Sequence, residues 1–200
     1  MEIFETIKKR RSVRKYKDIP VSDNIISELL EAARLAPSGG NSQGYVFGVI
    51  KESKVKRQLA EVAGNQMWIA DAPVVFACCA DISWDFAKQP DDDFGLIVNK
   101  LRFGDEFMEY MKNYQDRKKC MMLFNNSTPL IPAEHIFLAA VSHGLSACFI
   151  GYLNVEKANE ILNLPNHLTC LFLLPVGYAD EIPGEKKLKS IEEISFYDRY

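Results

Sequence analysis

Pro73 is followed by seven consecutive apolar residues, Val74 to Ala80, before the charge of Asp81. No other stretch limits the fold as much. The run lacks the alternation of a strand with one face in water, and it is far shorter than a bilayer-spanning helix. It reads as a strand buried on both faces. Such a strand needs a covering layer on each side, and the rest of the chain must supply them.

Helical spacing supplies candidates. Ile3, Phe4 and Ile7 mark a short opening helix, and Ser22 is placed to cap a second whose apolar face is Ile25, Ile26, Leu29, Leu30 and Ala33. That helix must end at Pro37-Ser38-Gly39-Gly40. Tyr45 to Ile50 reads as a strand, and a helix begins at Ser53 with Leu59 and Val62 inward. Pro132 and Gly144 bracket an apolar helix over 133–143, and a further helix near 155–162 separates two strand candidates, Ala147–Ile150 and Leu168–Leu174. The weakest pattern lies in 83–128, where Phe94 to Tyr114 is helical in character but interrupted by Gly95 and Gly104. About four strands separated by helices predict a mixed α/β or an α+β sandwich, and periodicity does not choose between them. The tail from Ala179 to Tyr200 is polar yet carries Ile182, Leu188, Ile191, Ile194, Phe196 and Tyr197. That is more apolar surface than a disordered tail carries, so it packs on its own domain or on a partner subunit.

Two hundred residues suffice for one domain with a substantial core and are few for two. The net charge of −3 argues against a nucleic-acid binder, which would carry a basic excess. No apolar run is long enough for a membrane span, and Met1 to Arg10 has no signal-peptide character, so a cytoplasmic location is expected. Cys78, Cys79, Cys120, Cys148 and Cys170 are odd in number and irregular in spacing, which argues against a disulfide framework. Cys79, Cys148 and Cys170 lie in apolar stretches and are expected as buried reduced thiols. His135, His143 and His167 are not at metal-ligand spacings, so no metal site is expected.

Three segments could carry chemistry. Residues 8–17 hold seven cations (Lys8, Lys9, Arg10, Arg11, Arg14, Lys15 and Lys17) and no acid, in a chain that is acidic overall. Such a strip suits a phosphate, with Ser12 as an added donor, but taken alone it more readily describes a solvated helix end complementing the helix dipole. Pro37-Ser38-Gly39-Gly40-Asn41-Ser42-Gln43 joins glycines that admit a close ligand to neutral donors and acceptors, but alone it is a helix-to-strand turn. It lacks the ending of a Walker loop. Gly144 to Tyr152 is an apolar strand ending in Gly151, whose free amides could face a site. A Cys148–His143 nucleophile pair is disfavoured because the two residues lie on different elements and no cation neighbours Cys148. Asp91-Asp92-Asp93 reads as a polar loop or a helix cap, and His143 as a cap partner. No G-x-S-x-G elbow is present.

In order and content these segments resemble the nitroreductase family of flavoproteins. The likeness runs through Arg10-Arg11-Ser12-Val13-Arg14-Lys15-Tyr16, then Glu31 to Gln43, then Asp71-Ala72-Pro73 leading into the apolar strand. It continues through Leu138-Ala139-Ala140, Gly144-Leu145 and Ile150-Gly151 to Pro175-Val176-Gly177-Tyr178 before a Lys-bearing tail. It covers most of the chain except about 83–128. The resemblance implies a single domain over 1–200 with an α+β sandwich fold, its central mostly antiparallel sheet flanked by helices, and an intertwined homodimer. In that dimer 83–128 would be the variable substrate-pocket segment and 179–200 would wrap the partner subunit.

The resemblance further implies FMN in a groove built by both subunits. Arg10 would grip the phosphate with Arg11 and Ser12 beside it, Arg14 would sit at the N1/O2 edge of the ring and tune it, and Lys187 or Lys189 would complete the phosphate clamp. Pro37, Ser38, Asn41 and Gln43 would approach from the other subunit, Asn65 would touch the ring, and Ile150 and Gly151 would offer amides near N5. NADH or NADPH would reduce the flavin, and a nitroaromatic, quinone or similar small-molecule electron acceptor would reoxidise it, with no catalytic side chain, because the flavin supplies the chemistry. Phe103, Phe107 and Tyr110 would stack on substrates or else pack a helix core. The chain departs from the family's habit at Gly44, where proline is frequent, and at Leu188, where arginine is frequent. The resemblance also admits a dehalogenase, a flavin-fragmenting enzyme, an oxidase, or a flavin-binding protein without turnover. Without the resemblance, the basic strip would suit an anion-binding or nucleic-acid adaptor, recognisable by salt-sensitive binding and no flavin.

Overall fold

The computed structural model describes residues 2–200. In chain order its elements are α1 (Ile3–Lys9), α2 (Asp23–Arg34), β1 (Tyr45–Ile50), α3 (Ser53–Val62), α4 (Trp68–Asp71), β2 (Val74–Asp81), α5 (Phe94–Phe103), α6 (Asp105–Lys112), α7 (Arg117–Phe124), α8 (Leu130–Ser142), β3 (Ser146–Ala147), α9 (Val155–Ile161) and β4 (Leu168–Gly177). The strands form one sheet in the order β1-β2-β4-β3, and every neighbouring pair is antiparallel. This settles the fold class as α+β, because the helices cover an antiparallel sheet rather than link parallel strands.

The apolar run is β2, central in the sheet and buried from Val74 to Ala80. Its side chains alternate between two cores, as the period of a strand requires. Val74, Phe76 and Cys78 pack with Ile26, Leu29 and Ala33 of α2 and with Ala133, Ile136, Phe137 and Ala140 of α8. Val75, Ala77 and Cys79 pack with Leu59 and Ala60 of α3, Ile69 of α4 and Ala158 of α9. Leu29, Phe76 and Phe137 are fully buried, each contributing about 1.5–3 kcal/mol in transfer from water. Local chemistry agrees with this layering. Ser22 Oγ accepts the Ile25 N–H at 3.3 Å to start α2, and Asn154 Oδ1 accepts the Lys157 N–H at 3.1 Å to start α9.

Residues 83–128 build a third core at one end of the sheet. Phe86, Leu96, Met108 and Cys120 are buried together against Ala80, Ile82 and Leu171. The expected long helix is broken in two at Gly104, whose φ of 85° separates α5 from α6. Gly95 has a packing reason, since a Cβ there would lie 2.8 Å from the Trp84 ring. Asp93 Oδ1 caps α5 by accepting the Leu96 N–H at 2.8 Å, so the acidic run serves as a cap. The strand expected over 147–150 is the two residues of β3 and an isolated bridge at Ile150, which exchanges both backbone hydrogen bonds with Leu173. Conversely β4 continues past Leu174 to Gly177, and the Pro175 carbonyl accepts the Cys148 N–H at 3.3 Å. From Lys187 to Tyr200 every residue is exposed. Among the described residues no helix is long and apolar enough to cross a membrane.

Candidate functional site

The basic strip is laced to the end of the sheet. Val13 N–H donates to Ala147 O at 3.1 Å, Lys17 N–H donates to Tyr178 O at 2.8 Å, and Asp180 N–H donates to Lys15 O at 2.9 Å. Tyr16 turns inward, and its hydroxyl donates towards Val13 O at 2.8 Å and Pro175 O at 3.2 Å. Burial first, then Cys148 and Glu181, push the Tyr16 phenol well above its ordinary pKa, so it stays protonated and keeps the strip anchored. With Val13 and Tyr16 buried, the alternate residues Ser12 and Arg14 face outward.

The outward face is a groove of about 500 Å³ lined by Arg10, Arg11, Ser12 and Arg14 on one side and by residues 181–186 on the other. Arg10 sits at the C-cap of α1, and its guanidinium lies 5.3 Å from the centre of the Phe137 ring. Burial raises the carboxyl of Glu134 on α8, and the nearby Arg10 charge opposes that shift. Lys186 reaches back to α1, donating to Lys8 O at 2.8 Å and Ile7 O at 3.3 Å. Desolvation and the adjacent Arg10 and Arg11 charges push the Lys186 ammonium below the ordinary lysine range. Three cations that repel one another around one groove are arranged to gain from an anion of more than one charge.

The structure therefore brings together Arg10, Arg11, Ser12 and Arg14. The lysine it sets beside them is Lys186, while Lys187 and Lys189 are exposed further along. The sequence reading passed over Lys186, although it belongs to the same Lys-rich cluster. Glu134, Phe137 and Glu181 were also missed, and neither spacing nor composition marks them.

Ile150 and Gly151 follow β3 along the same edge, and Asn65 lies nearby at the end of α3. Their two segments meet where Asn154 N–H donates to Val62 O at 2.9 Å and the Tyr152 ring lies against Gly64. Asn65 is exposed with a φ of 58°. One expectation about this edge is corrected. Cys148 does have cationic neighbours in space, Arg14 and Arg10, which lower its thiol pKa. Burial still outweighs them and raises the thiol pKa, so Cys148 remains an inert core thiol, and all five cysteines are buried and free.

The loop over 37–43 lies elsewhere. Ser38 Oγ accepts the Gln43 N–H at 3.0 Å, and Asn41 and Gln43 hold left-handed backbones with φ of 54° and 47°. Pro37, Asn41 and Gln43 are exposed and Ser38 is half-buried. Gly44 O accepts the Asp81 N–H at 2.9 Å, and Asp81 pairs with Leu168 at the start of β4. The basic strip pairs with Ala147, opposite Val176 near the end of β4. Eight residues of strand separate the two ends, about 27 Å at 3.4 Å per residue.

Phe103, Phe107 and Tyr110 lie on the outer part of the third core. Phe103 packs its ring 5.9 Å from those of Phe107 and Phe124, yet all three candidates remain more than 40% exposed. His143 closes α8 and lies 3.0 Å from Glu28, a cap and pairing position.

Fold and groove together define an α+β sandwich with a cationic channel at one end of its sheet. The chain matches the Nitroreductase family over residues 7–178, and it belongs to that family. It is 28% identical over 185 residues to an FMN reductase (NADPH) of Bacillus subtilis, covering 92% of this chain and 68% of that protein. It is 29% identical over 177 residues to an NADH dehydrogenase of Thermus thermophilus, covering 86% of this chain and 84% of that one. Its structure is similar to that of NfrA1 from B. megaterium, with a TM-score of 0.75 and 28% identity over 99% of this chain and 74% of the other.

Proposed function

We propose that this chain is an FMN-dependent oxidoreductase that takes reducing equivalents from NADH or NADPH and passes them to small acceptors such as nitroaromatics or quinones. The observation that carries the reading is the groove in which Arg10, Arg11 and Lys186 converge with Arg14 beside them. Its volume of about 500 Å³ falls in the range of small-molecule sites, and its donor set suits a phosphate at one end and a charge-sensitive ring at the other. Arg10, Arg11, Ser12 and Lys186 would hold the phosphate, with Lys187 and Lys189 adding positive field nearby. Arg14 would face the N1/O2 edge, and Asn65, Ile150 and Gly151 would position the ring near N5. When bound, FMN would supply the redox chemistry, accepting a hydride from the nicotinamide and delivering two electrons to the acceptor.

The site would be shared between two copies of the chain. One flavin cannot touch both ends of β4, and the exposed, left-handed Asn41 and Gln43 have donor and acceptor groups to offer from a partner subunit. In this reading residues 1–200 form one flavin-binding domain and 83–128 shape the acceptor pocket. Of the tail expected to wrap the partner over 179–200, the first part, to Lys186, lies on its own chain, and the exposed 187–200 wraps the partner. The location would be cytoplasmic.

An absorption spectrum of the purified protein tests the proposal. The expected protein is yellow, and anaerobic NADH or NADPH bleaches it within turnover times. Flavin that resists both donors would mean a binding protein without turnover. Arg10→Ala should weaken FMN binding by about tenfold or more through loss of a charged phosphate contact. Unchanged FMN affinity in that variant would remove Arg10 from the site.

A further inference from the structure

Two carboxylates line the cationic groove, Glu181 and Glu185, and one of them is tied to the basic strip. Glu181 lines it together with Arg10, Arg11, Ser12, Arg14 and Lys186, and its Oε1 accepts the Arg14 backbone N–H at 2.5 Å. The position is not left to chance. Ala179 bridges to Tyr16, Asp180 N–H donates to Lys15 O at 2.9 Å, and Lys15 pairs with Asp180 at 3.1 Å. Glu181 follows directly on these contacts, so its carboxylate stays close to Arg14 unless the whole strap unzips. Glu185 also lines the groove, but no hydrogen bond ties it to the strip.

A carboxylate opposes any anion that the groove receives, so its place there calls for an account. Two neighbours show how it acts. Tyr16 and Cys148 are both pushed up first by burial, and on each of them Glu181 pushes further up while Arg14 pulls down. The two charges thus act against each other over one small region.

We infer that Glu181 is a positioning residue that offsets the charge of Arg14 and holds the reduction potential of the bound flavin below the value the arginine alone would set. The inference rests on the FMN reading above. Hydride transfer brings two electrons and one proton to the flavin, so negative charge accumulates at its pyrimidine edge. A guanidinium there favours the reduced form, and a carboxylate held on the backbone N–H of the same residue disfavours it. In open water the exposed Glu181 would be screened to little effect. A ring filling the groove displaces that water and strengthens both interactions. The consequence is a bound cofactor that, once reduced, is a stronger donor to the acceptor.

Glu181→Gln tests this, because the amide oxygen still accepts the Arg14 N–H while the charge is gone. The readout is the midpoint potential of bound FMN, measured against a reference dye during photoreduction. The expected shift favours the reduced form by about tenfold, about 30 mV upward for a two-electron couple. Arg14→Gln should move the potential downward, the double variant should return close to the parent value, and Glu185→Gln should move it less than Glu181→Gln. A flavin-loaded Glu181→Gln protein whose potential stays put or falls overturns this inference and leaves the FMN reading intact. A parent protein that takes up no FMN overturns both.

Discussion

The apolar residues of β2 and those of α5 differ in what covers them. Val74 to Ala80 are buried on both faces of the sheet, in two cores closed by α2 and α8 on one side and α3, α4 and α9 on the other. Phe94, Ile97, Val98 and Leu101 recur at helical spacing along α5, and they are 77%, 48%, 41% and 88% exposed. Only the opposite side of α5, through Leu96, enters a core. The central sheet is complete within one chain, whereas 83–128 is anchored at its base and open on its outer side. Apolar content alone does not say which a segment will be, because burial depends on whether an opposing layer exists.

Four measurements would sharpen or break this contrast. The largest effect is expected in the sheet: Phe76→Ala should cost about 3–5 kcal/mol in urea unfolding, since its ring is fully enclosed. A loss below about 1 kcal/mol would contradict the closed double core.

The anchor of the outer segment should come next. Arg117 donates to both oxygens of Asp85 at 2.5 and 3.2 Å and lies 4.9 Å over the Phe86 ring. Removing it in Arg117→Ala strands a carboxylate only 6% exposed, at about 2–3 kcal/mol, moderated because Arg117 itself still touches solvent. Burial works against the Asp85 charge, but the hydrogen bonds from Arg117 and the Ala87 N–H outweigh it and hold the carboxyl below the usual range. A depressed folded pKa means that the stabilisation is present above about pH 4 and is lost as pH falls through the folded value. Hydrogen exchange should therefore rise first within 83–128 on acidification; exchange that rises first in β2 would refute the anchor. The smallest effect is expected for Leu101→Ser, within about 0.5 kcal/mol in dilute protein. A concentration-dependent loss well above that would mark the α5 stripe as covered by a second copy.

Much of this was readable from residues alone. The double burial of β2, the Ser22 cap, the breaker at Pro37 to Gly40 and the helix before Gly144 are local patterns with local causes, and the structure repeats them. The interruption at Gly104 was visible as a weakness but not as a break, since a glycine in a helical pattern becomes a terminus only if the chain needs to turn there. The site was legible in part. The arginine strip announced itself by charge density, but Lys186 was indistinguishable from Lys187 and Lys189 until the return of the tail towards α1 selected it. Glu181 carried no signal, because an acid in a polar tail is unremarkable until its neighbour is known to be Arg14.

By itself, then, the sequence determined most of the strands and helices outside 83–128, that one strand lies between two layers, and where positive charge is concentrated. These depend on periodicity and residue chemistry over a few neighbours. Tertiary structure decided that the sheet is antiparallel, that 37–43 and 10–14 sit at opposite ends of β4, and that a carboxylate shares the groove with the arginines. Those outcomes depend on how residues distant in the chain are brought into register, and no local pattern encodes which distant partner a segment will meet.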